Sequence, residues 1–206
     1  MVKEIIKEVQ ENMIGRIAHE QNNTNYVLMS AACNGNHLEI GVLHGGSLVA
    51  VAMMKQRDGY SGHVYGIDPF NGYYTDNLSV GSRGEVDPFT GVPVDLETVQ
   101  KNAKLFDVDV TVYKQNSHPF PDELSKLKFA SAYIDGDHWH GTPWLDWLSV
   151  KDITTDSVIF DNYDSNHQDV VSACTRAAQD PDWYLCFQKG ITFWLKRKAT
   201  NESAVI

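Results

Sequence analysis

Short apolar runs that end in glycine or aspartate alternate along this chain with segments whose apolar positions recur at helical spacing. The first run, Leu38-Glu39-Ile40-Gly41-Val42, predicts a strand ending in a glycine loop. Residues 47–55, with Leu48, Val49, Val51, Met53 and Met54, predict a buried helix. A second strand covers 63–68. Asp95 is a candidate N-cap for a helix reaching Leu105, and Val108, Val110 and Val112 alternate as a third strand. A fourth strand, 130–135, precedes a helix around Trp144 and Trp147. A fifth, 158–161, precedes a helix with Val170, Val171, Cys174 and Ala178 on one face. The last two runs, 183–187 and 191–195, are joined only by Gln188-Lys189-Gly190, too short for a parallel crossover, so the final strand is expected to run antiparallel. The pattern predicts an α/β class, doubly wound, with a mainly parallel seven-stranded sheet and an antiparallel last strand.

Two further stretches stand outside this alternation. Ile5, Ile6, Val9, Met13 and Ile17 predict an amphipathic helix over about 1–21, packed in the core or against a homodimer partner; acidic residues on its polar side disfavour lipid. Residues 71–93 carry Gly72, Gly81, Gly84, Gly91, Pro88 and Pro93 among Tyr73, Tyr74 and Phe89, and a loop of that length predicts a substrate lid. No low-complexity linker interrupts the chain, which is expected to form a single domain over 1–206.

Composition narrows the partners. A formal charge of −10 argues against nucleic acid, whose sequence-independent affinity comes from lysine and arginine neutralising phosphates, and favours a small-molecule substrate. No segment approaches the ~18 apolar residues of a membrane span, and the start lacks a signal-peptide pattern. Cys33, Cys174 and Cys186 are odd in number and widely spaced, which predicts reduced core thiols in a cytoplasmic setting.

Candidate chemistry collects where these strands end. In an open parallel sheet, ligands bind beyond the carboxyl ends of the strands, where strand order reverses. Strand one leads into Gly41, Gly45, Gly46 and Ser47, whose backbone amides can approach a ligand at a helix N-terminus. Strand two ends at Asp68, a carboxylate able to accept from both hydroxyls of a ribose. An adenosine ligand follows, open to a dehydrogenase or a methyl-transferring enzyme. Gly41-Val42-Leu43-His44-Gly45-Gly46 lacks the second glycine that a dinucleotide pyrophosphate needs, which disfavours the nicotinamide-dependent oxidoreductase.

Glu39-Ile40-Gly41, Gly45-Gly46-Ser47, Tyr65-Gly66-Ile67-Asp68-Pro69, Ile134-Asp135-Gly136-Asp137-His138 and Phe160-Asp161-Asn162-Tyr163 together resemble the motifs of small class I methyltransferases, in order and spacing over about 160 residues. The resemblance implies the Rossmann-like methyltransferase fold and S-adenosylmethionine (SAM) as cofactor. It places Glu39, Gly41, Gly45, Ser47, Asp68 and Asp135 at the cofactor, and Asn116 and Ser117 near adenine.

Asp135, Asp137, Asp161 and Asn162 follow two apolar strands, where buried carboxylates are costly unless paired or bound to a cation. Helix capping accounts for one acid per loop and leaves the second unexplained. Oxygen ligands from two adjacent loops suit a hard divalent ion such as Mg²⁺. The similarity extends here to catechol O-methyltransferase and metal-dependent sugar O-methyltransferases, which implies Asp135, Asp161 and Asn162 as metal ligands and a small-molecule hydroxyl as acceptor. Asp137 and His138 are the candidate bases: Asp137 matches the acid of the sugar-modifying relatives, and His138 has an intrinsic pKa nearer neutrality. His140 is a weaker third candidate. The four polar residues together argue against a non-catalytic cofactor-binding module.

Overall fold

The computed structural model describes residues 2–17, 24–32, 34–71 and 86–199. Seven strands form one sheet in the order β3-β2-β1-β4-β5-β7-β6: β1 Asn36–Ile40, β2 Val64–Asp68, β3 Val110–Lys114, β4 Phe129–Ile134, β5 Thr154–Phe160, β6 Trp183–Lys189 and β7 Thr192–Arg197. The first five are mutually parallel, and β7 pairs antiparallel with both β5 and β6. The expected architecture is the observed one. Strand order reverses between β1 and β4, which opens the crevice at their carboxyl ends.

Alternating side chains commit each strand to two cores. Leu38, Ile40, Ile67, Ile134 and Phe160 pack with α6 (Thr142–Val150) and α7 (Gln168–Ala177). On the other face Val64, Tyr133 and Ile159 pack with α1 (Val2–Asn12), α2 (Thr24–Ala31) and α3 (Gly46–Asp58). Helix α3 lies beneath this layer and is buried on most sides, so its sequence carries little polar face. It stops at Gly59, whose φ of 68° closes the helix on the Lys55 carbonyl. Helix α4 (Leu96–Leu105) starts as expected, with Asp95 accepting from the Thr98 amide at 2.7 Å.

Several boundaries differ from the sequence reading. The first helix ends at Asn12; Met13 and Ile17 are buried as expected but lie in a non-helical segment. Their helical spacing therefore reports burial, not helix. Helix α2 follows, where the sequence reading placed no separate helix. The third strand begins at Val110 because the Val108 amide is still closing α4 on the Ala103 carbonyl, with Asp107 at φ 52°. Crossover from β3 to β4 carries the four-residue helix α5 (Asp122–Ser125). Cys174 is a buried free thiol as expected, whereas Cys186 is exposed on β6, the outer strand of the sheet. Cys33 and residues 72–85 of the expected lid lie outside the described residues, while 86–93 form a turn closed by a Val86–Pro93 bridge. Among the described residues no helix is long and apolar enough to cross a membrane.

Candidate active site

Register aligns four adjacent strand ends. Ile67 lies beside Ile40, Ile40 beside Ile134, and Ile134 beside Phe160. The residues that follow, Asp68, Gly41, Asp135 and Asp161, therefore form a row across the switch point. The ladder continues into this row: the amides of Gly41, Asp135 and Asp161 donate to the carbonyls of Ile67, Ile40 and Ile134. Gly41 (φ 88°) is irreplaceable sterically, since a Cβ there would overlap the Asp135 carbonyl oxygen.

On the β1 side, the buried Glu39 accepts at Oε1 from the Ser47 hydroxyl at 2.6 Å, and its Oε2 has no partner among the described residues. Burial raises the Glu39 pKa well above the carboxylate range, against the Ser47 hydrogen bond, and the Asp135 and Asp68 charges raise it further. Asp68 does more than the sequence suggested. Its Oδ2 accepts from the amides of Val42 (2.8 Å) and Leu43 (3.1 Å), and its Oδ1 from Phe70 (2.7 Å). The acid thus shapes the glycine loop while carboxylate lone pairs remain for a further donor. Gly45 (φ 79°) is the N-cap of α3, and Asn116 and Ser117 sit in the loop after β3, exposed and half-buried.

On the β4–β5 side, the Tyr133 hydroxyl lies 3.1 Å from Asp135 Oδ2 and 3.0 Å from Asp161 Oδ2. The two carboxylates converge on one point. Burial, then the charges of Asp135, Asp161 and Glu39, push the Tyr133 pKa well up, so the phenol keeps its proton. Thr24 of α2 donates to Asp161 Oδ1 at 3.3 Å and also bonds Thr192 of β7. Asn162 follows with φ 57°, a left-handed conformation that asparagine tolerates, and its buried Oδ1 has no partner among the described residues. Among those residues no three His, Cys, Asp or Glu side chains gather as a metal cluster; the expected set is two carboxylates and an amide.

The base candidates separate clearly. His138 Nε2 is 3.3 Å from Asp135 Oδ1, and its ring packs edge-on against His167 at 5.0 Å. Burial opposes its protonation, but the Asp135 hydrogen bond and the charges of Asp135, Asp161 and Asp137 outweigh it, so its pKa is raised. Asp137 is exposed, with Oδ1 accepting from the Trp139 amide (3.1 Å) and Oδ2 from Thr142 Oγ1 (3.3 Å), which leaves it shaping the turn into α6. His140 is exposed at φ 59°. Trp147 belongs to the core, and Arg176 stacks on Trp144 at 3.6 Å.

Residues 38–163, more than half of the chain, match the methyltransferase-domain family. The chain belongs to that family. No curated protein sequence matches this methyltransferase. Solved structures with its fold include the calicheamicin methyltransferase CalS11, 12% identical over 95% of this chain and 91% of its own, at a TM-score of 0.62. The O-methyltransferase from Bacillus cereus in complex with SAH is 16% identical, covering 96% and 90%, at 0.59. TomG from Streptomyces achromogenes, in complex with SAM, is 14% identical, covering 94% and 89%, at 0.59. At these identities the likeness is one of fold.

Tyr133, Thr24 and His167 escaped the sequence reading. Tyr133 was legible in principle, because two residues along a strand share a face and Tyr133 precedes Asp135 by two. Thr24 comes from 137 residues away and carries no such signal.

Proposed function

We propose that this methyltransferase transfers a methyl group from SAM to a hydroxyl of a small molecule, assisted by a divalent cation held by Asp135, Asp161 and Asn162. The observation that carries this reading is the convergence of Asp135 and Asp161 on the Tyr133 hydroxyl, with the buried Oδ1 of the next residue, Asn162, unpartnered among the described residues. Two carboxylates converging on one point offer hard oxygen ligands from adjacent strand ends, and a hard cation suits such a donor set. SAM-bound and SAH-bound O-methyltransferases of the same fold support the cofactor and the acceptor atom.

SAM supplies an activated methyl group, and the cation would lower the pKa of an acceptor hydroxyl. The remaining work falls to this chain. The glycine loop and Asp68 orient the donor at the switch point, and Glu39 and Ser47 line the donor pocket beneath it. His138, poised on Asp135, is the group best placed to take the acceptor proton; Asp137 is the second choice because both its oxygens hold the turn. The net charge of −10 and the free thiols support a small-molecule partner and a cytoplasmic setting.

Thermal-shift measurements with SAM, NAD and NADP test the cofactor. A shift with NAD or NADP alone would return the chain to the oxidoreductase reading. A screen of hydroxyl compounds with SAM as donor, with products mapped by mass spectrometry, tests the acceptor; methyl groups found only on nitrogen would refute it.

A further inference from the structure

The cofactor loop is held from outside the sheet. Asn102 of α4 accepts from the Ile14 amide at 2.8 Å through Oδ1, and its Nδ2 donates to the carbonyls of Ile14 (2.9 Å) and His44 (2.8 Å). Residues 14–17 are thereby tied to the loop between β1 and α3. Contact is close enough that a Cβ on Gly15 would meet the His44 ring at 2.5 Å, and one on Gly46 would meet Ile17 Cα at 2.7 Å. Arg16 makes the third tie. Its Nε donates to the fully buried Asp87 at 2.7 Å, and its amide approaches His44 Nδ1 at 3.4 Å. Asp87 in turn accepts from the Phe89 amide and the Thr90 hydroxyl, which folds the 86–93 turn around it.

This arrangement has a conformational object. Leu43, between the two clamped sides, sits at φ 52°, a left-handed conformation that costs a branched side chain energy and persists only when the surroundings over-determine it. Asp68 fixes Leu43 through its amide; Asn102 and the Arg16 amide fix the next residue, His44, and Asp87 holds Arg16 in place.

We propose that residues 14–17 form a strap that positions the cofactor loop, with Arg16 and Asp87 as positioning residues for SAM binding. The proposal rests on the reading that SAM is the cofactor. Without the Arg16–Asp87 tie, the loop samples relaxed conformations of Leu43, and SAM must select the competent one, which lowers its apparent affinity.

Titration calorimetry with SAM on Arg16→Gln, Asp87→Asn and the double variant tests it. Each single variant should weaken SAM by about fivefold or more, and the double should fall no further than the worse single, because both remove one contact. Asp87→Asn removes the buried charge and leaves the partly exposed Arg16 able to reach solvent, so it guards against misfolding of Arg16→Gln, which strands the Asp87 carboxylate; either folded single variant carries the test. Asp180→Asn, which breaks the Lys151–Asp180 pair beyond the far ends of α6 and α7, is the stability control and should leave SAM affinity unchanged. Hydrogen exchange should accelerate at the Leu43 and His44 amides in the strap variants alone. Unchanged SAM affinity and unchanged exchange in Arg16→Gln would overturn the strap while leaving the cofactor reading intact. A wild-type protein that does not bind SAM would overturn both.

Discussion

Ser47 Oγ donates to Glu39 Oε1 at 2.6 Å, joining the first turn of α3 to the last residues of β1. Because burial raises the Glu39 pKa, the acid folds in its protonated form and loses that stabilisation as pH rises from its unfolded value through its folded one. A cationic sulfonium nearby would favour the carboxylate. SAM binding should therefore release protons, and affinity should rise with pH until Glu39 is ionised in the free protein. Calorimetry in buffers of different ionisation enthalpy counts those protons, and Glu39→Gln should abolish the release. Equal enthalpies in all buffers for the wild type would remove Glu39 from the donor site.

Asp68→Ala should weaken SAM by at least about tenfold, since a lost charge-assisted hydrogen bond costs about 1.5 to 3 kcal/mol. It also strips acceptors from the Val42 and Leu43 amides. Asp68→Asn retains a carbonyl for one of these and should fall between wild type and alanine in a calorimetric titration.

Tyr133→Phe removes the donor shared by Asp135 and Asp161, leaving two neighbouring carboxylates short of a hydrogen bond at a cost of about 1–3 kcal/mol. Mg²⁺ or Mn²⁺ should restore much of that stability, as read from denaturant midpoints with and without the ion. Recovery in neither would count against a cation between these acids.

Chelation should abolish methyl transfer and leave SAM binding largely intact, because the ion acts on the acceptor. Asp161→Ala should mimic it. His138→Ala should lose rate, with the deficit shrinking as pH rises and more acceptor ionises unaided, whereas Asp137→Ala should keep most of its rate. Full activity in excess EDTA would sink the metal and leave His138 acting alone.

His37, fully buried and bonded to Ser131 at 2.8 Å, has its pKa lowered to about 3, first by burial and then by the Lys55 charge. Its neutral form contributes stability above the unfolded value near 6.5, and that contribution is lost progressively as pH falls toward about 3. His37→Gln should flatten the stability profile over that window. Equally steep urea midpoints against pH would assign the acid sensitivity elsewhere.

Whatever depends on near neighbours in the chain was legible from residue order alone. Two-residue alternation, glycine turns and the brevity of 188–190 were enough for the strand order's parallel and antiparallel senses, and Gly41, Asp68, Asp135 and Asp161 were legible because strand ends are local signals. Tertiary structure decided what depends on who meets whom. Register brought Tyr133 onto Asp161, 28 residues apart, and chain folding brought Thr24 onto the same acid and Arg16 onto Asp87, 71 residues apart. Periodicity cannot encode such meetings, since burial of a methionine at 13 or an isoleucine at 17 reads the same in a helix as in a strap pressed against a loop. Local pattern specifies which face is buried; only packing specifies what it is buried against.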